Sequence, residues 1–172
     1  MSDNALAFTA RLDIGDGRKA CSGSLVNRNW LLTAAGCFAD DSAKSLVVPA
    51  GAPKLKTTAI IGRTDLTSTA GEKRDIVELV PYSSSSRDVV LARLGRPVTT
   101  VTPVDISATQ AAAGEDLTVA GYGRTATERS PLGLHSGTFT VGPAVRTVAG
   151  KPSWSRSAAG PGRAAASAST RP

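Results

Sequence analysis

Histidine, serine, cysteine and aspartate are the residue types in this chain that could carry nucleophilic chemistry. The chain has one histidine, His135, and it is followed by Ser136. A serine becomes a nucleophile when a neighbouring base takes its proton, and it typically sits on a tight turn framed by glycines. No such frame surrounds Ser136, and the four serines at 83–86 have no base beside them. We therefore interpret His135 as a surface-loop residue and the serine run as a flexible loop.

The cysteines and acidic residues do not form a metal-binding pattern. Cys21 and Cys37 are the only cysteines, and they are too far apart for a CxxC metal or redox motif. With a single histidine, no tetrahedral ligand set is available. The segment 13–17 lacks the further ligands of a calcium loop, and it predicts a tight hairpin turn at Asp16 and Gly17. We expect no metal or other cofactor, and one disulfide in an oxidising compartment.

Short apolar runs separated by turn residues recur along the chain, which is typical of β-strands. No long segment shows the period of a helix, so the predicted fold class is all-β. A short helical turn is predicted within 34–43, and Pro97 and Pro103 bracket a linker between two β units. The predicted strands are 8–14, 20–26, 30–33, 57–61, 76–80, 89–94, 117–122, 138–141 and 144–148.

The distribution of charge argues against a polyanionic partner. The chain of 172 residues has a net charge of +6, and such a balance ordinarily points to nucleic acid or an anionic membrane. Half of that charge comes from Arg156, Arg163 and Arg171 in the Ala/Ser-rich segment 153–172, whose composition predicts a disordered tail. No apolar run is long enough to span a bilayer. We expect neither nucleic acid nor a membrane as partner, and anionic-surface binding through the arginine tail is a weaker alternative.

Three motifs give the chain a specific resemblance to a known family. Residues 21–37 read Cys-Ser-Gly-Ser-Leu-Val-Asn-Arg-Asn-Trp-Leu-Leu-Thr-Ala-Ala-Gly-Cys. This run resembles the Cys-Gly-Gly-Ser-Leu-Ile strand and the Trp-Val-Leu-Thr-Ala-Ala-His-Cys segment of trypsin-like serine proteases. Residues 87–94, Arg-Asp-Val-Val-Leu-Ala-Arg-Leu, are similar to the family's Asp-Ile-Ala-Leu-Leu-Lys-Leu. Residues 117–125, Leu-Thr-Val-Ala-Gly-Tyr-Gly-Arg-Thr, are similar to its Val-Thr-Val-Ala-Gly-Trp-Gly-Arg-Thr.

The resemblance implies the chymotrypsin-like fold of two β-barrels, with the first barrel near complete and the second incomplete. It places a protease domain over 1–152, the first barrel over about 1–100 and the partial second barrel over about 101–152. It also implies that Trp30 and Leu31 pack under the bridge between Cys21 and Cys37. The family is secreted, so the resemblance implies an extracellular protein, although the sequence as given shows no secretory signal.

The resemblance also shows where the catalytic machinery departs from the family. Asp88 matches the orienting aspartate, but Gly36 occupies the position of the general-base histidine. Without an imidazole to orient, we expect Asp88 to have a structural role. The family's Gly-Asp-Ser-Gly-Gly-Pro motif is not found, and Gly142-Pro143 resembles its end, so we expect a segment to be missing after Val141.

These departures predict an inactive protease, either a pseudoprotease or a degraded enzyme. The alternative is a module that binds a peptide or protein, through the vestigial substrate cleft or through an open sheet edge. Self-association through the exposed strand edges of an unfinished barrel is a further expectation.

Overall fold

The computed structural model describes residues 5–42, 45–82, 87–128, 131–146 and 152–156. The elements form in the order β1 (Thr9–Ile14), β2 (Lys19–Asn27), β3 (Trp30–Thr33), a 3₁₀ turn (Ala35–Cys37), β4 (Thr57–Ile61), β5 (Glu72–Pro81), β6 (Val90–Leu94), β7 (Asp116–Gly121), β8 (His135–Arg146) and β9 (Pro152–Arg156). The predicted all-β class is confirmed. The predicted turn within 34–43 appears as the 3₁₀ turn.

The first six strands close into a barrel in the order β1-β2-β3-β6-β5-β4. β1 pairs antiparallel with both β2 and β4, and this double pairing closes the ring. Alternate residues of each strand point inward, as the period of a strand requires. The core is therefore aliphatic, and its largest fully buried apolar side chains are Leu12, Leu25, Leu31, Ile61, Leu79, Leu94, Val90 and Val98.

The β1–β2 connection is the hairpin turn that the sequence predicts. Gly15, Asp16 and Gly17 all have positive φ, at 65°, 55° and 85°. Glycine reaches this region without strain, and aspartate tolerates it better than most residues. The turn sets the register in which Leu12 faces Cys21. Asp13 and Asp16 therefore belong to a hairpin.

The second unit is a three-stranded antiparallel sheet in the order β7-β8-β9. The sequence predicts two strands, 138–141 and 144–148, where the structure has the single strand β8. A register shift between Val141 and Ala144 accommodates the Gly142-Pro143 pair. Proline has no backbone N–H to donate to a neighbouring strand, and in a bulge that hydrogen bond is not needed. Together with the closed barrel, this open sheet confirms one complete unit and one partial unit.

Strand β9 corrects the predicted start of the disordered tail. The sequence places that start at Ser153, whereas Pro152–Arg156 forms a strand paired with β8. Its composition has little apolar character, but an antiparallel edge supplies backbone partners whatever the side chains are. Residues 157–172 of the predicted tail lie outside the described residues.

Hydrogen bonds of Tyr122 and a β-bridge attach the second sheet to the barrel. The Tyr122 amide donates to Ser22 Oγ at 2.8 Å, and the Tyr122 hydroxyl donates to the Arg63 carbonyl at 2.6 Å. A β-bridge between Asp65 and Gly133 joins the β4–β5 loop to the start of β8. In the described part of the chain, there is no helix with the length and hydrophobicity needed to cross a bilayer.

Candidate active site

Gly36 and Asp88 are brought together by the pairing of β3 with β6. Gly36 lies in the 3₁₀ turn just after β3, and Asp88 lies two residues before β6. Thr33 at the end of β3 pairs with Val90 at the start of β6. The two residues are 52 positions apart in sequence, but they lie at the same end of the barrel.

A short hydrogen bond joins the two positions directly. The Gly36 amide donates to Asp88 Oδ1 at 2.6 Å. The Asp88 side chain is half-buried, and no other hydrogen bond to it is found within the described ranges. The carboxylate is thus held in place by the backbone of the turn.

The absence of a side chain at position 36 is not required by the backbone. Gly36 does not have a positive φ, so its conformation is open to other residues. A Cβ placed there would lie 3.4 Å from each of Asp88 Oδ1, Leu46 Cδ2 and Ser42 Cβ, which is ordinary van der Waals contact. Position 36 can therefore accept a Cβ, and that Cβ would lie beside the Asp88 carboxylate.

The disulfide fixes the turn that carries Gly36. Cys21 on β2 and Cys37 are bonded at an S–S distance of 2.05 Å, and no free cysteine occurs in the described residues. The predicted bridge is confirmed. Leu31 is fully buried in the core, and Cys21 packs against the same core. The bond ties the 3₁₀ turn to β2, independently of the Asp88 contact.

His135 does not belong to this site. It begins β8 and pairs with Gly121 of β7, so its interpretation as a surface-loop residue is wrong. Pairing with β7 is a tertiary contact that the local sequence does not show. Its Nε2 lies 3.9 Å from Glu128 Oε2, and the side chain is 40% exposed. No described contact connects it with Asp88 or Gly36.

The remaining candidates do not assemble a site either. Ser136 is exposed and pairs with Ala120 in the second sheet. The serines at 83–86 lie outside the described residues. Among the described residues, no group of three or more histidine, cysteine, aspartate or glutamate side chains could hold a metal ion.

Sequence reasoning missed a polar cluster around Glu72, at the start of β5. Glu72 Oε1 accepts from the amides of Thr99 and Thr100 at 2.9 Å and from the Thr100 hydroxyl at 2.7 Å. Burial would raise the pKa of Glu72, but the bonds from Thr100 and Thr99 and the charge of Arg74 lower it to about 2. The cluster attaches the linker after β6 to the barrel. No local motif identifies it, since its members are 28 residues apart in sequence.

Tyr122 is the second residue whose role depends on the tertiary structure. Its side chain is 3% exposed, and its hydroxyl donates to the Arg63 carbonyl. Burial raises the pKa of Tyr122 to about 12, against the opposing charges of Arg11 and Arg63. The residue is therefore a neutral donor at every physiological pH, and its presence in the third motif was the signal that could have identified it.

Comparisons with known proteins agree with this architecture. A family model described as Trypsin matches residues 1–158. Trypsin-1 of Salmo salar is 33% identical over 131 residues, which cover 70% of this chain and 48% of the salmon protein. A snake venom serine protease homolog of Protobothrops jerdonii is 29% identical over 106 residues, covering 60% of this chain and 38% of the venom protein. The chain thus spans about half, or less, of the length of these relatives.

A solved structure shows the same fold. It is that of neuropsin, a serine protease expressed in the limbic system of mouse brain. The two chains superpose with a TM-score of 0.65 at 20% identity, covering 83% of this chain and 63% of neuropsin. The barrel, the disulfide, the position of Asp88 and the family match lead to one conclusion: this chain belongs to the trypsin family of serine proteases.

Proposed function

We propose that this chain is a trypsin-family protein without peptidase activity. The observation that carries the proposal is the residue at position 36. Gly36 lies against the carboxylate that would orient a general base, and it has no side chain to accept a proton. Position 36 is held by the Cys21–Cys37 disulfide on one side and by Asp88 on the other. Because the position is internal to the chain, the missing side chain at Gly36 does not depend on where the sequence begins or ends.

The chemistry of acyl transfer explains why this single position is decisive. A serine hydroxyl attacks a peptide carbonyl only when a base removes its proton. Asp88 cannot substitute, because its Oδ1 is bound by the Gly36 amide and the family's reaction uses the aspartate through an imidazole. The Gly-Asp-Ser-Gly-Gly-Pro motif that carries the nucleophile is also not found in these 172 residues.

A peptidase assay on the oxidised, full-length chain tests the proposal. A panel of fluorogenic peptides with basic, aromatic and small residues before the scissile bond is incubated with the protein, and an active trypsin serves as the positive control. We expect no turnover above buffer and no labelling by a fluorophosphonate probe. Hydrolysis that a serine-directed inhibitor abolishes would overturn the proposal.

A second candidate function is peptide binding at the edge of the open sheet. Within the described residues, β7 pairs only with β8, so its outer edge has no strand partner. Leu117 and Val119 on this strand are 39% and 36% exposed. An unpaired edge with apolar side chains can accept an extended peptide as an added strand, or a β-strand from a second copy of the chain.

Sedimentation velocity and peptide titration distinguish this candidate. A monodisperse dimer, or saturable binding of an extended apolar peptide, supports a binding module. Leu117→Ser with Val119→Ser should then weaken the association, while the control Leu132→Ser, at another exposed leucine, should not. Heterogeneous aggregation at all concentrations would instead indicate a degraded enzyme without a binding role.

We further propose that the protein is extracellular. The Cys21–Cys37 disulfide supports this, because such bonds persist in oxidising compartments. Fractionation of the producing cells should recover the oxidised chain from the medium. Recovery of the chain from the cytosol with both thiols reduced would contradict the proposal.

A further inference from the structure

The outward face of β5 and the end of β6 form a cleft that the protease chemistry does not use. Its volume is about 400 Å³, and it lies on the first barrel. The residues that line it are Lys73, Arg74, Asp75, Val77, Gly95 and Arg96.

The shape of the cleft follows from two local features. The β5–β6 register shifts between Ile76 and Glu78, so that Val77 is the extra residue of a bulge. Opposite it, Gly95 has no side chain, and a Cβ there would lie 3.2 Å from Val77 Cγ1. The Gly95 amide donates to the Asp75 carbonyl at 2.9 Å, and this bond holds the two strands together at the base of the cleft. The shape of the cleft is therefore determined by the backbone of β5 and of the residue after β6.

One cation of the cleft is fixed. Arg74 donates from Nε and Nη2 to the Pro97 carbonyl at 3.2 Å and from Nη1 to the Lys73 carbonyl at 2.9 Å. It also forms an ion pair with Glu72. Four of its five N–H donors are therefore used and its charge is paired with Glu72, so Arg74 acts as part of the wall of the cleft.

Two cations of the cleft remain available. Lys73 and Arg96 are exposed, and neither side chain has an ion pair or hydrogen bond with any residue that the structure describes. They face one carboxylate, Asp75, whose Oδ1 accepts from the Thr58 hydroxyl at 3.4 Å. Glu72 neutralises the charge of Arg74. Since Asp75 offsets only one of the two charges of Lys73 and Arg96, the cleft has an excess of positive charge.

We propose that this cleft binds the tetrahedral oxyanion of a sulfate or phosphate group. A lysine ammonium offers three donors and a guanidinium five, and together they suit an anion with several acceptor oxygens. The exposed charges of Lys73 and Arg96 favour the approach of such a ligand to this part of the barrel. The site is on the first barrel, and it does not depend on whether the chain has peptidase activity.

Titrations with two probes test the proposal on the full chain with its disulfide intact. Inorganic phosphate and a sulfated pentasaccharide are titrated separately while backbone amide shifts are recorded by NMR. We expect shifts centred on residues 73–77 and 95–96, and an affinity that falls as salt is added. The absence of shifts at these residues with both probes would overturn the proposal.

The two probes also separate the sources of the anion. Binding of the pentasaccharide at least about tenfold tighter than phosphate indicates a sulfated polymer as ligand, since several groups then contact the protein. Equal affinities indicate a free anion. Either result supports the cleft as an oxyanion site.

Matched variants assign the binding to the cleft. Lys73→Gln with Arg96→Gln should weaken pentasaccharide binding about tenfold, because both positive charges and their charge-assisted hydrogen bonds are lost. Arg124→Gln removes an exposed charge in the other unit, and it should change the affinity less than twofold. Gly95→Val fills the cleft while keeping its cations, and it should weaken binding as well. Equal losses in Arg124→Gln and in the double variant would show that only net charge matters and would overturn the proposal.

Discussion

At the scale of single residues, the contact between Gly36 and Asp88 defines the position on which the proposed lack of peptidase activity depends. The carboxylate is in place, and the position beside it accepts a Cβ at ordinary contact distance. A side chain at position 36 would therefore begin beside the Asp88 carboxylate.

The substitution Gly36→His tests this interpretation. We expect the variant to fold, and the pKa of the introduced imidazole to be raised above the ordinary value of about 6.5, because the Asp88 carboxylate stabilises its charged form. We still expect no peptidase activity, since the nucleophile motif is not found. An NMR pH titration measures the pKa, and Gly36→His with Asp88→Asn is the control in which the increase should disappear. A pKa that is not raised would show that Asp88 is not available to the imidazole.

Glu72 provides a prediction about acid stability. Its pKa is lowered from 4.5 to about 2 in the folded protein. The carboxylate therefore stabilises the fold above pH 4.5, and this contribution is lost as the pH falls from 4.5 towards 2. Glu72→Gln should reduce the free energy of unfolding at pH 7 by about 1 to 2 kcal/mol, discounted for the nearby solvent, and should flatten the acid limb of the stability curve.

Urea denaturation between pH 2 and pH 7 measures both effects. Glu78→Gln is the matched control, because Glu78 is more exposed and has a single ion pair with Arg93. If the two variants lose the same stability and keep the same acid limb, the threonine contacts of Glu72 do not contribute.

At the scale of elements, the disulfide connects the 3₁₀ turn with β2. Cys21 and Cys37 are 16 residues apart, and closing a loop of this size stabilises the fold by about 3 kcal/mol in the chain-entropy model. Reduction, or Cys21→Ser with Cys37→Ser, should therefore lower Tm by roughly 6 to 12 °C. Calorimetry with and without reductant measures the change, and an unchanged Tm would contradict this role.

At the scale of the whole molecule, the Tyr122 side chain connects the open sheet with the barrel. Tyr122→Phe removes the hydroxyl that donates to Arg63, and it should cost about 1 kcal/mol. The loss should appear as faster amide exchange in β7 and β8, while the barrel strands remain protected. Hydrogen exchange measures this, with Tyr82→Phe as the control at an exposed tyrosine. Uniformly faster exchange in both units would show that they unfold together.

The sequence by itself determined the elements whose information is local. The bounds of β3 and β4 agree with prediction, because each is a short run of apolar and β-branched residues, and the turn residues that end it lie within a few positions. The β1–β2 turn follows from Gly15, Asp16 and Gly17 for the same reason. The spacing of the two cysteines and the glycine at position 36 are likewise properties of the chain.

The tertiary structure alone decided the features that depend on distant partners. His135 lies in a strand because β7 pairs with it, and Ser153–Arg156 forms a strand because β8 offers an edge. Glu72 has a lowered pKa because the linker brings Thr99 and Thr100 to it. Strand pairing and electrostatic contacts between residues that are far apart in sequence leave no periodic pattern near either residue. A short stretch of sequence therefore cannot predict them.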